Sequence, residues 1–316
     1  MPFREVKKGD KPKIVDKSKP SAHDLEPPTK QGLQLSSPAI LSLGFLALIV
    51  IGTVLLSLPI ATIQPISILA AAFTATSAVT VTGLNVVDTA NYTTFGQLVI
   101  AALIQFGGLG FMTFAILVLT SLQGKMGLSG SITAQEALGT HSNQIGSTAK
   151  AVIKIAFITE SLGFLGLTLL LAPLKGLKDA MYEAFFLCIS AFNNAGFALN
   201  GNNMTAYVHQ PMISFIISLL IITGGIGFLV ILDIIKHKRW QKFTLHTKVM
   251  VLGTLALNII GCILYWLLER HNAKTIGGLS EAGQWFASWF MAVTSRTAGF
   301  NNVDYSQVTD ASTLLT

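Results

Sequence analysis

Apolar residues in this chain run in long blocks rather than alternating with polar ones. Residues 31–87, 89–124, 184–232 and 249–268 contain no Lys, Arg, Asp or Glu. A helix needs about 20 apolar residues to cross a bilayer, so the longer blocks each hold more than one membrane segment. Divided at their polar interruptions, the blocks repeat one order: long helix, short helix, loop, long helix. The first unit predicts a long helix at 38–60, a break ending at Pro65, a short helix from Ile66 to Ala78, the loop Val79, Thr80, Val81, Thr82, Gly83, Leu84, and a long helix at 95–120. The second predicts a helix at 150–172, a polar break from Lys175 to Asp179, a short helix from Ala180 to Ala191, the loop Phe192, Asn193, Asn194, Ala195, Gly196, Phe197, and a long helix from Pro211 to Ile235. The third predicts a helix at 248–268, a break from Glu269 to Gly278, a short helix from Glu281 to Val293 and the loop Ser295, Arg296, Thr297, Ala298, Gly299, Phe300. The residues after Phe300 are too few for another spanning helix.

The loops align on Gly83, Gly196 and Gly299, spaced a little over a hundred residues apart, and Asp88 and Asp304 each stand five residues beyond their glycine. The second long helices of units one and two carry matching motifs, Gly107-Gly108-Leu109-Gly110 and Gly224-Gly225-Ile226-Gly227. The reading is an all-α polytopic membrane protein. Its parts are a flexible cytoplasmic tail (1–34), a first unit (35–122), a cytoplasmic linker (123–148), a second unit (149–236), a basic cytoplasmic loop (237–247) and an incomplete third unit (248–316).

Composition agrees: of 316 residues 51% are hydrophobic and 11% charged, against roughly 25% charged in soluble domains. A cytosolic enzyme is excluded, and so is a nucleic-acid binder, because the net charge of +6 sits on tails and loops rather than on a folded basic patch. Cys188 and Cys262 lie in apolar segments without metal-ligand spacing. The six histidines are scattered, and neither a zinc-binding His-Glu-x-x-His, a Walker motif nor a nucleophile elbow occurs, so the chain has no catalytic set and no nucleotide site. The first apolar segment is too long for a signal-peptide core. Lys236, Lys238, Arg239, Lys242 and Lys248, with Lys125 and Lys150 flanking the linker, put those loops and the N-terminus on the cytoplasmic side. The short helices then enter from outside as re-entrant hairpins.

Irregular backbone at membrane depth survives only in a watery cavity or inside protein. A helix of about 12 residues rises about 18 Å, so the short helices end partway across. Converging loops would ring a pathway with carbonyls that replace a cation's hydration shell, and inward-pointing helix C-termini favour positive charge there. Glycine permits the unusual φ or close approach this needs. Arg296 is expected to turn away from the axis and brace its loop. Asn193 and Asn194 are expected to brace backbone. Glu160, near mid-membrane, is expected to pair inside the bundle, with Lys154 snorkelling toward the interface. Asp88 and Asp304 either concentrate cations at the outer mouth or cap turns. The paired-glycine motifs are expected to permit close packing or a slight bend.

At these residues the sequence resembles the Trk/Ktr/HKT potassium-transporter superfamily, closest to its Ktr-type membrane subunit. The stretches Phe73–Leu84, Ser190–Phe197 and Thr294–Asn301 look like its first three selectivity-filter segments, and the similarity runs from about residue 35 to the end. The resemblance implies units of helix, pore helix, filter loop and helix, about two and a half of the family's four. It implies potassium uptake, with the ion held by backbone carbonyls near Thr82, Gly83, Ala195, Gly196, Ala298 and Gly299. It also implies stimulation by sodium, a homodimer in the bacterial cell membrane, and a cytosolic ring of regulatory subunits that carries the nucleotide; no cofactor belongs to this chain. The alternatives are a Trk-type or sodium-permeable cation transporter, or an inactive fragment of such a subunit. With the third unit's last helix and the fourth unit absent from these residues, the filter is expected to be open on one side. A secondary transporter with inverted halves fits less well, because these units run in parallel.

Overall fold

A computed structural model describes residues 37–110 and 145–316. The tail expected at 1–34, most of the linker expected at 123–148, and residues 111–120 lie outside the described residues, and the first unit's last helix, expected to run on through Gly110, ends at Gly108. Unit one has α1 (Ser37–Leu56), α2 (Ile68–Thr80) and α3 (Thr94–Gly108). Unit two has α4 (Ile145–Lys175), α5 (Leu177–Phe192), α6 (Pro211–Gly225) and α7 (Phe228–His237). Unit three has α8 (Leu245–Glu269) and α9 (Glu281–Thr294), followed by the short α10 (Asp310–Leu315). Among the described residues two helices, Lys150–Lys175 and Leu245–Glu269, are long and apolar enough to cross a membrane, and the bent pair α6–α7 makes a third candidate.

Local chemistry sets the helix starts. Ser67, Thr93, Thr244, Ser280 and Thr309 each accept a hydrogen bond from the backbone N–H three residues on, at 3.1 to 3.3 Å, which satisfies an otherwise orphaned donor. Pro211 opens α6, where its missing N–H costs nothing.

Val79 and Thr80, expected to open the first loop, close α2, and Phe192, expected to open the second, closes α5. Three further expectations about bounds are corrected. Helix α4 begins at Ile145, inside the stretch expected as linker. The break expected over Lys175–Asp179 shrinks to Gly176, whose φ of +82° ends one helix as α5 begins. Third, the helix expected to run unbroken from Pro211 to Ile235 is two helices at 93° to one another. Gly227, with φ +97°, makes that turn, a conformation in which an L side chain is strained.

The short helices α2, α5 and α9 bury small residues: Ala70, Ala71, Ala75 and Ala78 in α2, Ala180, Ala184 and Ala191 in α5, Ala287, Ser288 and Ala292 in α9. Small side chains let neighbouring backbones approach closely, the main source of helix association where apolar surface already faces lipid. Each short helix packs on the long helix before it in its own unit. It also packs on the helix that follows the glycine loop of the preceding unit where there is one, α5 on α3 and α9 on α6. The step from unit one to unit two is thus repeated from unit two to unit three, and the units follow an arc.

Candidate functional site

The C-termini of α2, α5 and α9 lead into the three glycine loops. In each loop the sign of φ alternates in the same way. Val81, Asn194 and Thr297 have φ of +58°, +58° and +94°; Gly83, Gly196 and Gly299 have +76°, +70° and +73°; Thr82, Ala195 and Ala298, between them, are not among the positive-φ residues. The same alternation of sign thus recurs at matching positions in all three loops. For Val81, a β-branched residue, the left-handed region is an outlier, and such strain persists only where the surroundings over-determine the backbone.

The loops meet backbone to backbone. A Cβ placed on Gly83 would stand 2.6 Å from the Ala195 carbonyl oxygen, and one on Gly196 would stand 2.8 Å from the Ala298 carbonyl oxygen and 2.8 Å from Gly299 Cα. Loop two therefore lies between loops one and three. Its Ala195 and Gly196 are buried, whereas Thr80 and Thr82 in loop one and Thr297 and Gly299 in loop three remain exposed.

Backbone bonds pin each loop to its helix. Thr82 N donates to Ser77 O at 2.9 Å, Ala195 N to Ser190 O at 2.7 Å, and Ala298 N to Thr294 O at 2.9 Å. The Thr82 hydroxyl donates to Ser77 Oγ at 3.0 Å, and the Thr80 hydroxyl to Thr76 O at 2.7 Å. Ser295 Oγ reaches Ala292 O at 3.1 Å. Thr294 Oγ1 donates to Phe300 O at 2.8 Å and accepts from Phe300 N at 2.9 Å. Val79 and Phe192 are buried in the packing beneath the loops.

The paired-glycine motifs press on these same helix ends. A Cβ on Gly107 would lie 2.0 Å from Val79 O, and one on Gly224 would lie 1.6 Å from Phe192 O. Close packing is what the first glycines provide, as expected. The bend is far from slight: Gly227 makes the 93° turn, and its counterpart Gly110 also has positive φ, +77°.

Side chains brace the loops from behind. Glu160 accepts from Gln105 Nε2 at 2.9 and 3.2 Å, and Gln105 Oε1 accepts from Asn193 Nδ2 at 2.8 Å. This chain ties α4 to α3 and then to loop two. Asn193 also donates to Ile189 O at 2.9 Å, and Asn194 Nδ2 to Phe192 O at 3.4 Å. Arg296 points toward α8, reaching Asn258 Oδ1 at 3.4 Å and Thr254 Oγ1 at 3.5 Å. Asp304 Oδ1 accepts from Ser306 N at 2.9 Å, a capping arrangement; Asp88 opens its turn without a side-chain cap bond.

Sequence reasoning missed three residues here. Gln105 stands in α3 two residues before the paired glycines, and that position was the available signal. Asn203 donates to the Gly196 carbonyl at 3.1 Å and accepts from Asn301 N at 3.3 Å, joining loop two to the segment after loop three. Glu183, buried in the second turn of α5, accepts from Lys175 Nζ at 2.6 Å, Asn200 Nδ2 at 2.9 Å and the Tyr207 hydroxyl at 2.5 Å. A cavity of about 540 Å³ beyond the loops is lined by polar groups including Asn202, Asn203, Lys274 and Asp304. Among the described residues no three His, Cys, Asp or Glu side chains are grouped to hold a metal ion.

Short helices ending in glycine loops that meet backbone to backbone, bracketed by longer apolar helices, define a polytopic α-helical membrane fold. The TrkH family, described as a cation transport protein, matches residues 35–316, and the chain belongs to it. It is 45% identical over 287 residues to the Ktr system potassium uptake protein B of Bacillus subtilis (strain 168), covering 90% of this chain and 64% of that relative. It is 36% identical over 289 residues to the potassium/sodium uptake protein NtpJ of Enterococcus hirae, covering 90% of this chain and 63% of the relative. The crystal structure of the potassium transporter TrkH from Vibrio parahaemolyticus shares the fold, with a TM-score of 0.57 at 20% identity over 87% of this chain and 53% of that one. The chain thus spans less than two thirds of the length of these proteins.

Proposed function

We propose that this chain supplies three sides of a potassium-uptake pathway in a Ktr-type system of the bacterial cell membrane. The observation that carries the reading is the same alternation of φ sign in all three loops, with their glycine backbones in contact. Such loops present rows of carbonyl oxygens, and rings of carbonyls replace the hydration shell of a monovalent cation. The ligands are the carbonyls around Thr82, Gly83, Ala195, Gly196, Ala298 and Gly299. The Gly196 oxygen already accepts from Asn203, and its second lone pair remains for the ion. The partial negative ends of α2, α5 and α9 add to the attraction. The basic stretch Lys236–Lys248 and the N-terminus face the cytoplasm. Two copies assemble on a cytosolic ring of nucleotide-binding regulatory subunits, and sodium stimulates uptake.

A second reading, sodium permeation through the same loops, is favoured by the similarity to a potassium/sodium uptake protein. One experiment tests both. The chain, alone and completed with the C-terminal portion of the Bacillus subtilis relative, is expressed with a regulatory-ring partner in a bacterium lacking potassium uptake, and rubidium and sodium entry are measured. The completed chain is expected to carry rubidium in preference to sodium, and Gly196→Asp to abolish entry at unchanged membrane abundance. Entry unaffected by Gly196→Asp would sink the filter assignment; equal rates for the two ions would favour the second reading.

A further inference from the structure

The 93° break between α6 and α7 is the one such bent span among the described residues. Helix α6 has 15 residues and rises about 22 Å, less than the roughly 30 Å of a hydrocarbon core. With α6 read as running along the membrane normal, a right-angle turn at its end lays α7 along the membrane plane, near the boundary between acyl chains and headgroups. Leu229 and Ile235 on α7 are exposed, as are Trp240 and Leu245 beyond it. Trp240 stands edge-on to Phe243 with ring centroids 5.8 Å apart. Between these apolar groups stand Lys236, Lys238, Arg239 and Lys242, all exposed, and the half-buried Lys248.

The one carboxylate of the stretch does not neutralise these cations. Asp233 spends its oxygens on His237 Nδ1 at 2.6 Å and on the Thr244 N–H and hydroxyl at 2.9 and 3.0 Å. Among the described residues none of the five cations has an ion-pair partner, and Lys248 reaches only Gln241 O at 3.5 Å. Exposed aromatic and aliphatic groups interleaved with unpaired cations at headgroup depth match an anionic lipid surface.

We propose that α7 and the segment through Lys248 form an interfacial anchor for anionic phospholipid headgroups. The proposal rests on the cytoplasmic orientation given above. Each basic residue close to an anionic surface contributes up to about a fivefold preference, so even partial engagement of five is measurable.

The test is quenching of Trp240 fluorescence in vesicles containing the full chain, taken as the difference between the chain and its Trp240→Phe variant. Brominated phosphatidylglycerol is compared with brominated phosphatidylcholine. Quenching about twofold stronger or more with phosphatidylglycerol is expected, falling with salt. Neutralising the five cations to Gln is expected to remove the preference while leaving quenching by phosphatidylcholine in place. Equal quenching by the two lipids overturns the proposal, as does absence of quenching by either. In the latter case, loss of regulated uptake in the five-Gln variant would assign the surface to an acidic cytosolic protein instead. Orientation is read separately, by labelling Lys238→Cys from either side of intact cells. External labelling would overturn the orientation without touching the lipid comparison.

Discussion

Loops one and two share a backbone and differ in what holds them. Loop two is gripped by the Asn193–Gln105–Glu160 chain, by Asn203 on its Gly196 carbonyl, and by Phe197, fully buried beside Ala195 in a cluster made largely of α1, α2 and α3. Loop one has Leu84 in the place of Phe197, 62% exposed, and its bonds run back to its own helix at Ser77 and Thr76. Loop three repeats the second pattern, with Phe300 buried in a cluster of α4, α5 and α6 residues. In loops two and three the residue after the glycine is therefore a plug into the preceding unit, and the left-handed backbone at Asn194 and Thr297 is held by a neighbour as well as by its own helix.

The strongest way to break this contrast is to remove the plug. Phe197→Ala should cost about 3–5 kcal/mol, as large-to-small changes at fully buried aromatics do, whereas Leu84→Ala should stay within about 0.5 kcal/mol. Thermal unfolding of the purified chain in one detergent measures both. Equal shifts in Tm would mean that loop two does not lean on unit one.

Next in size is the polar chain behind loop two. Gln105→Leu leaves Asn193 with Ile189 O as its remaining acceptor and Glu160 without its donor, a loss of about 1–3 kcal/mol. In the completed chain it should also erode discrimination of rubidium against sodium, since the loop's backbone loses a brace. Glu160→Gln keeps an acceptor for Gln105 and should be milder on both counts. If Gln105→Leu unfolds the chain earlier yet leaves ion preference intact, the brace serves folding alone.

The repeated order of long helix, short helix and glycine loop was readable because charge-free blocks and aligned glycines are one-dimensional signals. The orientation of Arg296 and the pairing of Glu160 followed from the cost of a lone charge at that depth. The 93° turn was not readable. Gly224-Gly225-Ile226-Gly227 sits inside a continuous apolar run, and hydropathy does not distinguish a straight span from a broken one. Gln105 and Asn203 escaped for another reason: an amide's partner is fixed by three-dimensional register between α3, α4 and loop two, and no local spacing encodes it. The sixteen-residue length of α5 was underestimated because Lys178 and Asp179 look like a polar break, while as first-turn residues they sit where a helix still meets water.

The smallest effect separates the two aspartates beyond the loops. Asp304 accepts from Ser306 N at 2.9 Å and from Ser306 Oγ at 2.7 Å, and these bonds hold its carboxyl below the usual aspartate value. A depressed folded-state pKa stabilises the fold above the ordinary aspartate range, and the contribution disappears as pH falls through the lower folded value. Acidification should therefore loosen the turn Tyr305–Gln307, seen as faster amide exchange at Ser306 and Gln307 after correction for the intrinsic pH dependence. Asp304→Asn should flatten that profile. Asp88→Asn should leave the turn Thr89–Asn91 unchanged, because that turn has no side-chain cap to lose. A pH response that survives Asp304→Asn would place the sensitive group elsewhere and leave the two aspartates equivalent.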